Sequence, residues 1–294
     1  MTKFFRLFTV FFLFSLIGFS QISKIHYIPP LTANDLQQGG GGSIPYDQHL
    51  YLSTPSTSDV TVKITILSTG QEITYTDLRN DNPKVYQLTA DNPNQEQALN
   101  GVLFVDKDGT GSNRLSSGLV IDADCPVYAS IRYNAGAQAG ALVSKGDASL
   151  GTHFRTGMMT NGNQSDENEF QNSTNSHNLN FISVMATQDN TTVRIDLPNA
   201  SPNLQIANYN YNGNPIVQTL NRNESMIIAA DARQPNNSGE NRFALIGALV
   251  RSIDDSGTVI VEDPTKPIVV NVGSASGTFM STEGGHDHGV DQIV

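Results

Sequence analysis

Residues 60–78, VTVKITILSTGQEITYTDL, open with an apolar side chain at every second position. Val60, Val62, Ile64 and Ile66 alternate with Thr61, Lys63 and Thr65. A period of two sends successive side chains to opposite faces, so this segment can bury one face only as a β-strand. The alternation stops at STGQ and resumes through Ile73, Tyr75 and Asp77, and a glycine-bearing break between two such runs predicts a β-hairpin. KVYQL, GVLFV, GLVIDA, PVYASIRY, TVRIDL, SMIIAA, FALIGALV, TVIVE and PIVVNVG continue the pattern, separated by Gly, Asn, Asp and Pro. Helical periodicity is nearly absent, so the expected fold is all-β and sandwich-like; a propeller-like array of small sheets fits short strands with glycine-rich turns as well. The alternating positions Val62, Ile64, Val120, Val127, Val193, Ile195, Ile260 and Val269 are the expected core.

The strands also recur at long range. Residues 49–64 (HLYLSTPSTSDVTVKI) lie over residues 180–195 (NFISVMATQDNTTVRI) without a gap, at an offset of 131. Residues 118–131 (GLVIDADCPVYASI) match residues 257–272 (GTVIVEDPTKPIVVNV) with two inserted residues. Two blocks in the same order predict an internal duplication, one β unit used twice in tandem. The expected organisation is a leader over residues 1–20, an N-terminal linker over 21–43 containing QQGGGGS, a first β unit over 44–158, a polar loop over 159–178, and a second β unit over 179–294 that is cut short.

The leader reading rests on order. Lys3 and Arg6 precede an uncharged run from Leu7 to Phe19, 13 residues, and the small residues Gly18 and Ser20 stand three and one residues before Gln21. That is a signal peptide, too short for a bilayer span of about 20 residues. Its removal takes away two positive charges and no acid, moving the net charge from -11 to -13. An exported, acidic chain with no basic stripe excludes nucleic acid and anionic membrane as expected partners, and no later stretch reaches transmembrane length. Cys125 is the only cysteine, so no intrachain disulfide forms, and its apolar surroundings predict a small core residue.

Motifs that could carry chemistry are few. There is no G-x-S-x-G, HExxH, P-loop or nucleotide fingerprint, so no catalytic residue and no cofactor is expected. His286-Asp287-His288, with Asp291 three residues on, has a ligand chemistry that could suit zinc, with His153 as a further donor. The glycines around it, Gly284, Gly285 and Gly289, point instead to a loop closing the second unit, without high-affinity metal binding. In DKDGTGS, residues 106–112, Asp106 and Asp108 echo the first and third positions of a calcium loop, but Ser117 stands where the twelfth-position acid belongs.

KIHYIPPLT, YDQHLYLSTP, ADCPVYASI, TKPIVVNVGS and GGHDHGVDQIV together resemble the IgGFc-binding protein N-terminal domain family. More narrowly they are similar to large flavobacterial surface proteins that end in gliding-motility-associated, type nine secretion sorting domains. The resemblance implies a secreted or cell-surface binding and adhesion module, with an extracellular glycan or protein as ligand and further C-terminal domains. An exported carbohydrate-active enzyme and a structural spacer are the competing classes.

Overall fold

The 60–78 segment forms the hairpin its alternation predicts: β4 (Val60–Ile66) pairs antiparallel with β5 (Gln71–Leu78), and Val60, Val62, Ile64 and Ile66 are all buried. The fold is that of a computed structural model describing residues 21–32, 45–89, 101–111, 113–135, 138–159, 179–200, 204–231, 243–254, 261–278 and 286–294. The leader, the QQGGGGS segment, Ile260 and nearly all of the polar loop lie outside the described residues. Eighteen strands and two short 3₁₀ turns make up the regular structure, with no α-helix among the described residues.

The first sheet system is organised by one long strand, β8 (Leu119–Ala135). Its first half pairs with β4 on one side and with β1 (Ser23–Ile28) on the other; its second half pairs with β3 (Tyr46–Ser53) and β9 (Gln138–Val143). β6 (Lys84–Gln87) completes the far edge beside β3. A small parallel pair, β2 (Leu31–Thr32) and β7 (Phe104–Val105), adds Leu31 and Phe104 to the same core. Between the halves of β8 the alternation breaks. Ala123 and Val127 are buried, whereas Asp124, Cys125 and Pro126 are all exposed. This is the corner where the strand leaves one half-sheet for the other, so Cys125 is an exposed corner residue and not a core one.

The second system repeats the pairing. β10 (His153–Arg155), β15 (Leu249–Asp254), β12 (Thr191–Asp196) and β13 (Ile216–Leu220) form one sheet, with β16 (Val261–Glu262) beside β15. β14 (Ser225–Asp231), β11 (Leu179–Ala186), β17 (Ile268–Thr278) and β18 (His286–Gln292) form another. Strand for strand, β5-β4-β8-β1 becomes β13-β12-β15-β10, and β6-β3-β8-β9 becomes β14-β11-β17-β18. The first aligned block therefore holds, β3–β4 over β11–β12. The second needs correction: the place of Leu119–Ala123 beside β4 is taken beside β12 by β15, not by residues 257–264. Two strands of the second system, β15 and β17, take the places that β8 fills alone in the first. Two expected boundaries move as well. Residues 21–43, expected as a linker, supply β1 and β2, and β10, expected in the first unit, pairs with β15 of the second system.

The β14-β11-β17-β18 sheet is a middle layer with both faces covered. All eight residues of β11 are buried. Leu179 and Phe181 join the first core, while Ile182, Val184 and Ala186 join the second. β14 divides the same way, Ile227 and Ala229 against Met226 and Ile228. Sheets covered on both sides read as near-continuous apolar runs, and the runs FISVMA and SMIIAA are of that kind. Of the expected core positions, Val62, Ile64, Val127, Val193, Ile195 and Val269 are buried and Val120 is half-buried.

His26 of β1 is fully buried, its Nε2 2.9 Å from the Val127 carbonyl and its Nδ1 3.0 Å from Ser144 Oγ. Burial holds its pKa below the ordinary value of 6.5, against the backbone carbonyls of Val127 and Ser23, which favour the proton. The folded state therefore resists a proton that the unfolded chain accepts, so stability is intact above about pH 6.5 and falls as the pH drops toward the folded pKa. Melting temperatures between pH 8 and 5 should show a decline below about 6.5 that is shallower in His26→Gln. Parallel curves would exclude His26 as its source.

Candidate functional site

The second half of β8 sends Val127, Ala129, Ile131 and Tyr133 inward and Tyr128, Ser130, Arg132 and Asn134 outward. Its neighbours follow the same rule. Leu50 and Leu52 of β3 are buried, leaving His49 and Tyr51 on the outer face; Leu142 of β9 is buried, leaving Ala141 and Val143 outside. The registers then align Val85, Tyr51, Ser130 and Val143 in one row across β6, β3, β8 and β9. Tyr128 stands diagonal to both Tyr51 and Val143, within reach of large side chains. These four are among the most exposed large apolar side chains described: Tyr51 36%, Val85 48%, Tyr128 42% and Val143 41%. An apolar patch gathered on one sheet face is the usual mark of an interaction site.

Polar groups adjoin this row at one end. A β-bulge in β3 between Tyr46 and His49 carries Asp47 with φ 51, a left-handed conformation uncommon outside glycine. The Asp47 carboxylate accepts from Asn134 Nδ2 at 2.7 Å and lies 3.3 Å from His49 Nδ1. The Arg132 guanidinium sits over the Tyr51 ring, 5.2 Å from its centroid, and the His49 ring is 6.2 Å from the same ring. These side chains line an open groove of about 570 Å³ whose wall includes Ala139, Gly140, Ala141, Tyr133 and His288. Gly140 is required there by space: a Cβ would lie 2.2 Å from the Tyr133 ring. That ring is held edge-on between Phe104 at 4.8 Å and His288 at 5.5 Å.

The histidine-rich tail is a strand, not a loop. β18 pairs with β17, and Gly289, Val290, Asp291 and Gln292 face Ser274, Gly273, Val272 and Asn271. Residues three apart in a strand point to opposite faces, so His288 and Asp291 cannot converge. His288 is buried in the groove wall, and Asp291 makes an ion pair with Lys145 at 3.0 Å. The side chains of His286 and Asp287 lie outside the described residues. His153 pairs with Glu262 on another sheet. Asp106 caps a 3₁₀ turn, its Oδ1 accepting the Asp108 N–H at 2.9 Å. Among the described residues no group of three His, Cys, Asp or Glu side chains could hold a metal ion. Sequence reasoning missed Asp47, His49, Tyr51, Arg132 and Asn134. Their signal was the outward position in YDQHLYLS and PVYASIRYN, where Tyr, His and Arg stand in place of the Thr, Lys and Ser of an ordinary solvated face.

The outer face of β6, β3, β8 and β9 is thus an exposed aromatic face beside a polar groove on an all-β scaffold, the candidate site of this chain. The chain belongs to the IgGFc binding protein family, whose family model matches residues 139–294, from β9 through β18 and more than half the chain. No curated protein and no solved structure matches it. Among the described residues no helix is long and apolar enough to cross a membrane.

Proposed function

We propose that the chain is a non-catalytic binding and adhesion module of a secreted bacterial surface protein, and that its ligand, an extracellular glycan or protein, docks on the outer face of β6, β3, β8 and β9. The observation that carries this is the convergence of Tyr51, Val85, Tyr128 and Val143 on one open sheet face, bordered by Arg132, His49 and Asp47. Tyrosines of this kind give contact area at low entropic cost and are enriched where proteins meet ligands. Membership in a family named for immunoglobulin Fc binding supports a binding role, and the leader-like residues 1–20 support export. The resemblance to flavobacterial gliding-motility-associated proteins supports a surface location.

The test is a glycan and protein array, immunoglobulin Fc included, probed with the wild-type chain and with Tyr51→Ala, Tyr128→Ala and the double variant. Each single change should weaken binding several-fold and the double change by at least tenfold, about 1.4 kcal/mol or more, with unchanged melting temperature. Binding untouched by the double variant would place the ligand elsewhere, and turnover of an arrayed glycan would make the protein an enzyme.

A further inference from the structure

We infer that the groove beside Tyr51 receives a sugar bearing a carboxylate, with Arg132 as its anchor. This rests on the binding face proposed above and names the class of ligand for it. The chain is acidic, with 28 Asp and Glu against 17 Lys and Arg. Seven of its thirteen described lysines and arginines, Lys63, Arg79, Lys84, Lys145, Arg194, Arg251 and Lys266, face a carboxylate within 4 Å. Arg132 makes no ion pair among the described residues, although Asp47 lines the same groove. Asp47 is turned toward Asn134 and His49 instead. The guanidinium is exposed, but stacking on Tyr51 restricts it.

A restrained guanidinium is a fork of parallel N–H donors that matches a carboxylate in two-point contact. Holding it in place before the ligand arrives lowers the ordering cost of binding. The rest of the groove fits the remainder of a pyranose. Asp47 and Asn134 offer an acceptor and a donor–acceptor amide for hydroxyl groups, and His49 a ring nitrogen. Ala139, Gly140 and Ala141 keep the β9 wall low enough for a ring to lie against it. The cation and the anion are both present but apart, which suits a ligand with one acidic group and several hydroxyls. A uniformly charged or wholly neutral ligand would leave one of them without a partner. The protein's net negative charge does not oppose this at physiological salt, where fields from distant charges are screened beyond about 8 Å.

Calorimetric titration of the purified chain with 3′-sialyllactose, a glucuronate disaccharide and lactose tests the inference. At least one acidic sugar should bind tenfold or more tighter than lactose, and the preference should shrink as salt is raised. Arg132→Ala should abolish the preference. Arg132→Lys, which keeps the charge but loses the fork, should retain only part of it. Equal binding of lactose, a preference unchanged in Arg132→Ala, or no binding of either acidic sugar would overturn the assignment. So would a glutamate-rich peptide that binds through Arg132 while the sugars do not. A neutral glycan or protein bound in a Tyr51-dependent, Arg132-independent manner would also overturn it while leaving the sheet-face reading intact. Loss of Tyr51 dependence for every ligand would remove that reading too.

Discussion

Gln292→Ala is expected to destabilise the fold by about 3–5 kcal/mol, because one buried amide serves four groups drawn from both sheet systems. Its Oε1 accepts the Lys145 N–H at 2.6 Å and stands 3.1 Å from Ser144 Oγ. Its Nε2 donates to the Tyr27 carbonyl at 2.8 Å and to Asn271 Oδ1 at 3.3 Å. Asn271 in turn donates to the Pro29 carbonyl at 3.0 Å. Truncation leaves these partners, buried at Tyr27, Ser144 and Asn271, without the amide, and a buried polar group without a partner costs about 1–3 kcal/mol. Gln292→Met separates polarity from volume. It fills the space but supplies neither donor nor a good acceptor, so it should recover little of the loss. Denaturant midpoints for the wild type and both variants measure the effect. A loss below about 1 kcal/mol, or full recovery by methionine, would show that the amide's hydrogen bonds are not what joins β18 to β1 and the β9 end.

The tail containing Gln292 shows why part of this architecture was legible in the sequence and part was not. The 2-residue period of VTVKITI reports which face of β4 is covered, and that needs only local information. GGHDHGVDQIV has two glycines, two histidines and no apolar alternation before Val290, so local chemistry reads as a turn. It is a strand because β17 offers an open edge and because the amide of Gln292 finds its partners at the Tyr27, Lys145 and Asn271 positions, up to 265 residues away. Cys125 misled for a related reason. Its neighbours alternate correctly on either side, but the strand changes sheets through Asp124, Cys125 and Pro126, and a corner has no periodicity to announce it. The Pro126 signal was there to be weighed, since proline marks irregular strand positions.

The binding face was hidden differently. Val85 and Tyr128 stood in predicted strands, KVYQL and PVYASIRY, whereas the strands of Tyr51 and Val143 were not predicted, and the face exists only once register sets Tyr51 beside Val85 and diagonal to Tyr128. A one-residue slip in either pairing would send those side chains to the core. The repeat was legible because pairing order survives sequence drift better than residue identity does. Its second block was misaligned because the acidic–proline signal of residues 262–267 lies C-terminal to β15, the strand that takes the pairing with β12.

Phe181→Ala should destabilise the protein by about 3–5 kcal/mol, within the range for removing a fully buried aromatic ring. Phe181 has no exposed surface and lies in the middle layer, on the face turned toward the first core. Its ring packs across its register partner Gly273, where an added Cβ would come within 2.6 Å of the ring and 2.8 Å of the Gly289 carbonyl. Gly273→Ala must therefore push the ring or the β18 backbone aside and should cost about 1–3 kcal/mol. β11 gives Phe181 to one core and Ile182 to the other, so the middle sheet cannot lose its packing on one side and keep its register on the other. Heat should accordingly unfold wild type and Phe181→Ala alike in one transition, with calorimetric and van't Hoff enthalpies in agreement. Two resolved transitions, with Phe181→Ala lowering only the earlier one, would show instead that the two sheet systems melt independently and that the middle layer belongs energetically to the second core alone.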